Sequence, residues 1–130
     1  MSNVLEMNAP AGPQWALSGA LLEFAADGEF ALVHQIVGIF LADTQKRIES
    51  LQKTVRSGDL SEARRIAHSL KGAARQVGTI RLAEESDRLE QCSGEIDQAT
   101  FSLLALSVVL SWEDARRSIV GELESMPGKP

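Results

Sequence analysis

"ARRIAHSLKGAARQVG", Ala63 to Gly78, is the stretch that decides how this chain folds. Ala63, Ile66/Ala67, Leu70, Ala73/Ala74 and Val77 recur every three or four positions, the spacing of one buried helix face. A single histidine, His68, stands outside that stripe, about 100° around the helix from Ala67. Its helical neighbours at i−4, i+3, i+4 and i+7 are Arg64, Lys71, Gly72 and Arg75. Each is cationic or lacks a side chain. Glycine weakens a helix interior by roughly 1 kcal/mol relative to alanine, so Gly72 calls for a reason.

The boundaries of this helix are written around it. Asp59 can cap its N-terminus with Glu62 three residues on, and Gly78 stops it. Upstream, Leu32/Val33, Ile36/Val37, Phe40/Leu41, Ile48, Leu51 and Val55 carry helical periodicity from Phe30 to Arg56, ended by "SGD". Downstream, Ile80, Leu82/Ala83, Ser86 and Leu89 predict a helix ending near Gly94. A last helix, capped by Asp97, carries Phe101, Leu104, Leu106, Val108/Val109, Trp112, Ile119 and Leu123. A short helix is expected over Trp15 to about Ala26, with Leu17, Leu21 and Phe24 or Leu22 inward. Four amphipathic helices joined by short turns predict an all-α, antiparallel four-helix bundle with a short additional N-terminal helix. Residues 1–13 are expected to form a flexible arm, 14–125 the bundle and 126–130 a tail.

Composition narrows the function. The chain has 130 residues, 44% of them apolar and 24% charged, which suits one globular domain. Its net charge of −5 disfavours nucleic-acid binding. The charge is uneven, however: Arg64, Arg65, Lys71, Arg75 and Arg81 form a run without an acid. Such a local basic patch suits a small anionic target. The N-terminus does not read as a secretory signal, and the apolar run "FSLLALSVVL" is too short to span a bilayer. Cys92, the only cysteine, has no internal disulfide partner and no base beside it in sequence. A cytoplasmic protein without membrane association is expected. His34 and His68 fall on different helices, so no metal site is expected, and His34 reads as structural. Trp15 and Trp112 read as packing residues.

The surroundings of His68 suit a nucleophile that carries a phosphoryl group. Neutral imidazole offers a lone pair, and nearby cations match the roughly two negative charges a phosphoryl group brings. A missing side chain at position 72 would let another protein close over the ring. A lone surface histidine on a basic helix face is, by itself, ordinarily inert.

The order of the residues adds to this. "AHSLKG" followed by "AARQVG", with the second glycine ten residues after the histidine, resembles the signature of histidine-containing phosphotransfer (HPt) domains. "FLADTQKRIESLQKTVRSGDLSEARRIAHSLKG" is similar to that family's second helix, turn and third helix, and "RLAEESDRLE" to its fourth, so the likeness runs from Phe40 to about Cys92. The resemblance implies a phosphorelay carrier. His68 would accept the phosphoryl group from a response-regulator receiver aspartate, on Nε2, and pass it to a second receiver. Lys71 matches the family's lysine that assists with phosphoryl charge, Gly72 the glycine that admits the partner, and Gly78 the turn glycine. Glu90 stands where the family tends to place Gln or Glu near the ring, and there it would hold the Nδ1 proton. Ala73 departs from the family, many of whose members carry serine there. Arg64 and Arg75, placed by helical spacing alone, are expected to steer an acidic partner.

The expected partners are receiver domains and a hybrid sensor histidine kinase. No cofactor of the chain's own is expected, and magnesium is expected in the receiver. A monomer is expected, because one face must stay free for successive partners. Two other readings share the pattern: a degenerate HPt domain that binds receivers without chemistry, and the phosphoacceptor fragment of a chemotaxis-type kinase. The intact His68, Lys71 and Gly72 argue against the first. The opening Met and the proline-rich tail favour a free-standing protein over the second. No glycine-rich ATP-binding segment is present, so the chain is expected to carry phosphoryl groups without ATP-dependent kinase activity.

Overall fold

A computed structural model describes residues 18–92 and 94–128. Among them the chain forms five helices and no strand: α1 (Gly19–Ala26), α2 (Phe30–Ser57), α3 (Leu60–Val77), α4 (Ile80–Gln91) and α5 (Gln98–Ser125). α2 packs on α3, α3 on α4, α4 on α5, and α5 closes the ring on α2. α3 and α5 are therefore diagonal to one another.

The turns that reverse the chain have local causes. Gly58 ends α2 at φ 73°, a left-handed conformation that a side chain would strain. Asp59 then caps α3 by accepting a hydrogen bond from the Glu62 amide at 3.1 Å. Gly78 closes α3 in the same left-handed region, at φ 103°. Asp97 begins α5 by accepting from the Thr100 amide at 2.7 Å.

Inside the ring, α3 contributes Ala63, Ile66, Ala67, Leu70, Ala74 and Val77. α5 contributes Phe101, Ala105, Val108, Trp112, Ala115 and Ile119, alternating steps of four and three that keep one face inward along the helix. Trp112 meets Phe40 edge to face at 5.9 Å, and its indole N–H donates to the Gln45 amide oxygen at 2.8 Å.

Three expectations change. α1 begins at Gly19; Trp15 and Leu17 lie outside the described residues. α4 stops at Gln91, short of Gly94. Leu106 is exposed, because the inward face of α5 passes through Ala105 and Val108 and leaves position 106 on the far side. Small residues take inward places on α5, at Ala105, Ser111 and Ala115. Of the residues expected inward on α1, Leu21 is buried and Leu22 exposed.

Helix lengths explain where the open ground is. α2 and α5 have 28 residues each, α3 has 18 and α4 has 12. At about 1.5 Å per residue, the long pair outruns α3 by about 15 Å. Gln98 on α5 donates to the Val55 carbonyl at 2.9 Å, so the overhang lies at the opposite end, where His34 contacts the Pro127 carbonyl at 3.2 Å. α1 lies against α2, with the Ser18 amide donating to the Val77 carbonyl at the end of α3. No helix among the described residues is long and apolar enough to cross a membrane.

Candidate functional site

His68 sits on the outward side of α3, one residue past buried Ala67, and its side chain is 71% exposed. Its Nδ1 is hydrogen-bonded to one carboxylate oxygen of Glu90, which α4 holds alongside. A carboxylate only accepts, so the ring nitrogen facing it carries the proton. In the neutral ring this leaves the lone pair on Nε2.

The other oxygen of Glu90 accepts from the Lys71 ammonium. Lys71 also donates to Asp87 Oδ1 at 3.1 Å, and its side chain is only 13% exposed. Residues 68 and 71 share a face of α3 and residues 87 and 90 a face of α4, each pair three apart, so two helical turns meet as a four-residue cluster. Hydrogen bonding to Glu90, and then to Asp87, raises the Lys71 pKa above the usual lysine value. Lys71 in turn holds both carboxyls below the usual carboxylate range; the His68 bond adds to this at Glu90, and Gln91 and Arg75 add to it at Asp87.

The remaining cations of the basic run are put to several uses. Arg65 pairs with Glu62 on its own helix. Arg64, expected at the docking face, is half-buried and donates to the Gly94 carbonyl at 2.9 Å, tying α3 to the loop after α4. Arg75 is exposed and makes no ion pair within 4.0 Å among the described residues. The patch is thus less positive than the sequence run implies, because α4 supplies acids from outside that run.

Gly72 is exposed, and a Cβ built there meets nothing within 4 Å. Neither its backbone conformation nor internal packing demands glycine, so what the missing side chain leaves open is outer surface. That surface borders a groove of about 600 Å³ between α1, α2 and α3, lined in part by Leu21, Phe24, Ile36 and Ile39. Ile39 on α2 is exposed in it, and exposed Leu22 of α1 lies close by in sequence. Neither the groove nor Asp87 was singled out from sequence. Asp87 could have been, as the acid one turn before Glu90. The groove depends on where α1 lies across the overhang, which periodicity does not reveal.

Cys92 is half-buried. Among the described residues, no cluster of three or more His, Cys, Asp or Glu could hold a metal ion.

The Hpt domain family model matches residues 35–118, from the second turn of α2 into the last third of α5, and the chain belongs to that family. All six candidate residues, His68, Lys71, Gly72, Glu90, Arg64 and Arg75, fall inside the matched span. Comparison with curated proteins and with solved structures gave no match. Membership implies phosphotransfer in two-component signalling, with receiver domains and kinases as the interacting class.

Proposed function

We propose that this protein relays a phosphoryl group between receiver aspartates through phospho-His68. The observation that carries the reading is the His68–Glu90 bond. It fixes the tautomer and presents Nε2 on an exposed ring, beside a helix position stripped of its side chain.

In the transfer, the Nε2 lone pair forms the N–P bond as the P–O bond to the receiver aspartate breaks. The departing carboxylate keeps that electron pair. The ring, still protonated at Nδ1, gains positive charge that the Glu90 carboxylate faces directly. Lys71 lies within the same cluster and offsets phosphoryl charge. The leaving group is a carboxylate, which needs no general acid to depart. Acceleration comes from alignment and charge neutralisation, with the receiver contributing its aspartate and a magnesium ion.

The receiver docks over Gly72 and the adjoining apolar groove, where exposed Ile39 gives it surface to cover. Arg75 is placed to steer it; Arg64 serves the fold first. A relay between receivers places the protein in the cytoplasm, and a hybrid sensor kinase supplies the first phosphorylated receiver.

The test is transfer from several receivers preloaded with labelled phosphate. The wild-type protein should acquire acid-labile, alkali-stable label. His68→Gln should acquire none, at unchanged helical content by circular dichroism. Label persisting on that variant would remove His68 from the site.

A further inference from the structure

The surface that the phosphotransfer reading leaves unused is the outer face of α5. Leu103, Leu106 and Leu110 are 65%, 49% and 55% exposed, and they follow one another at steps of three and four. At 100° per residue they centre opposite the buried row of Phe101, Ala105, Val108 and Trp112. α5 thus carries two apolar stripes, one inside the bundle and one facing out. Repeated leucines at this spacing on an exposed face are the pattern of a helix–helix seam.

The charge distribution identifies the occupant. From Gln98 to Trp112, fifteen consecutive residues of α5 carry no charge, on a chain whose net charge is −5. Two copies meeting at this face avoid the repulsion their acidic surfaces otherwise impose. The flanking charges also set the direction. Glu95 and Asp97 precede the uncharged run and are both acidic; Glu113, Asp114, Arg116 and Arg117 follow it, and exposed Arg117 stands as far in sequence from Leu106 as exposed Glu95. A two-fold axis through Leu106 brings Arg117 of one copy to the N-terminal end of the other's α5, where Glu95 stands in the loop just ahead of the helix, twice. It also sets Glu113 opposite Ala99. A parallel pairing would instead oppose Glu95 to Glu95 and Arg117 to Arg117.

We propose that α5 is a self-association surface, on which two copies of this chain pair antiparallel about Leu106. Arg117 already bonds Asp114 on its own helix at 2.6 Å, an exposed contact that contributes little and is readily exchanged. The leucine face is smaller than the ~800 Å² per partner of a standard interface, so the dimer is weak and forms with rising concentration. Because α5 is diagonal to α3, both His68 rings stay open in the pair. The expected monomer is replaced by a dimer that still leaves its docking face free.

Sedimentation velocity on the full chain, from micromolar to about 1 mM, reads this directly. The wild-type mass should rise from monomer toward dimer. Leu106→Glu should stay monomeric throughout with unchanged helical content, since the position lies on the exposed outer face of α5. A wild-type monomer at the highest concentration overturns the proposal, as does a dimer that Leu106→Glu leaves intact. Arg117→Glu should weaken association about five-fold, and adding Glu95→Arg should restore it. If the double variant associates no better than Arg117→Glu alone, the antiparallel register is wrong.

Discussion

Two outward faces of one bundle follow opposite rules. On the α3–α4 side, charge is dense, and its centre is paired: Lys71 with Asp87 and Glu90, Glu90 with His68. On the outer side of α5, fifteen residues pass without a charge and leucines face water. The first face is organised internally and needs nothing added to be stable. The second gains only when something covers it. On the proposed reading the two faces separate tasks, with pre-oriented polar groups where chemistry passes and unpaired apolar area where a second copy binds weakly.

The assignment of chemistry to the α3 side breaks most easily at Gly72. Because a side chain there would meet nothing in the free protein, Gly72→Gln should fold normally and be slightly more helical. Transfer from a phosphorylated receiver should nevertheless fall, by about 100-fold, because the new side chain stands where the partner closes. Stopped-flow transfer rates alongside circular dichroism measure both. A normal transfer rate would show that the partner does not approach over Gly72. Self-association through α5 should be untouched, since the two faces lie on diagonal helices.

Lys71→Ala sharpens the comparison from inside the charged face. It removes the only cation of the four-residue cluster and leaves Asp87 and Glu90 without it. Transfer should slow by about ten-fold while receiver binding, followed by fluorescence anisotropy, persists. A wild-type rate would make Lys71 a link between α3 and α4 with no part in transfer.

Much of this was legible in sequence because it is local. The Gly58 and Gly78 turns, the Asp59 cap and the α3 stripe are each set within a few residues, and they stand where periodicity and capping place them. His68, Lys71 and Gly72 lie on a single helix, so their spacing could be read directly. Glu90 needed the family likeness, since which residue of α4 faces His68 depends on how two helices cross. Three features were hidden for the same reason. Asp87 neutralises Lys71 from another helix, Arg64 turns to a carbonyl 30 residues away, and the groove needs α1 laid across the overhang. Leu106 went to the wrong side because α5 has leucines on several faces, and only the ring of neighbours decides which row is inward.

The smallest expected effect tests whether the charged face is tuned or merely paired. Asp87 and Glu90 both draw on Lys71, so a phosphoryl group arriving at His68 meets a cluster whose single cation is shared between two carboxylates. Asp87→Asn keeps the hydrogen bond and removes one negative charge. The equilibrium between phospho-receiver and phospho-His68 should therefore shift about two- to three-fold toward phospho-His68, with Asp87→Glu restoring the wild-type ratio. The same pairing has a pH signature in the unphosphorylated protein. Asp87 and Glu90 have folded pKa values lowered chiefly by Lys71, so their contribution to stability is present above the ordinary carboxylate value of about 4 and lost as pH falls through the lowered values. Lys71 is raised, so its contribution is present below the ordinary lysine value of about 10.4 and lost as pH rises through the raised one. Thermal melts should show a small, constant gap between wild type and Asp87→Asn from about pH 5 to 9, closing in acid. A gap that persists after the carboxylates are protonated would trace to packing at position 87. A phosphoryl equilibrium that moves the other way would mean that Asp87 aids phosphorylation of His68 by holding Lys71 in place.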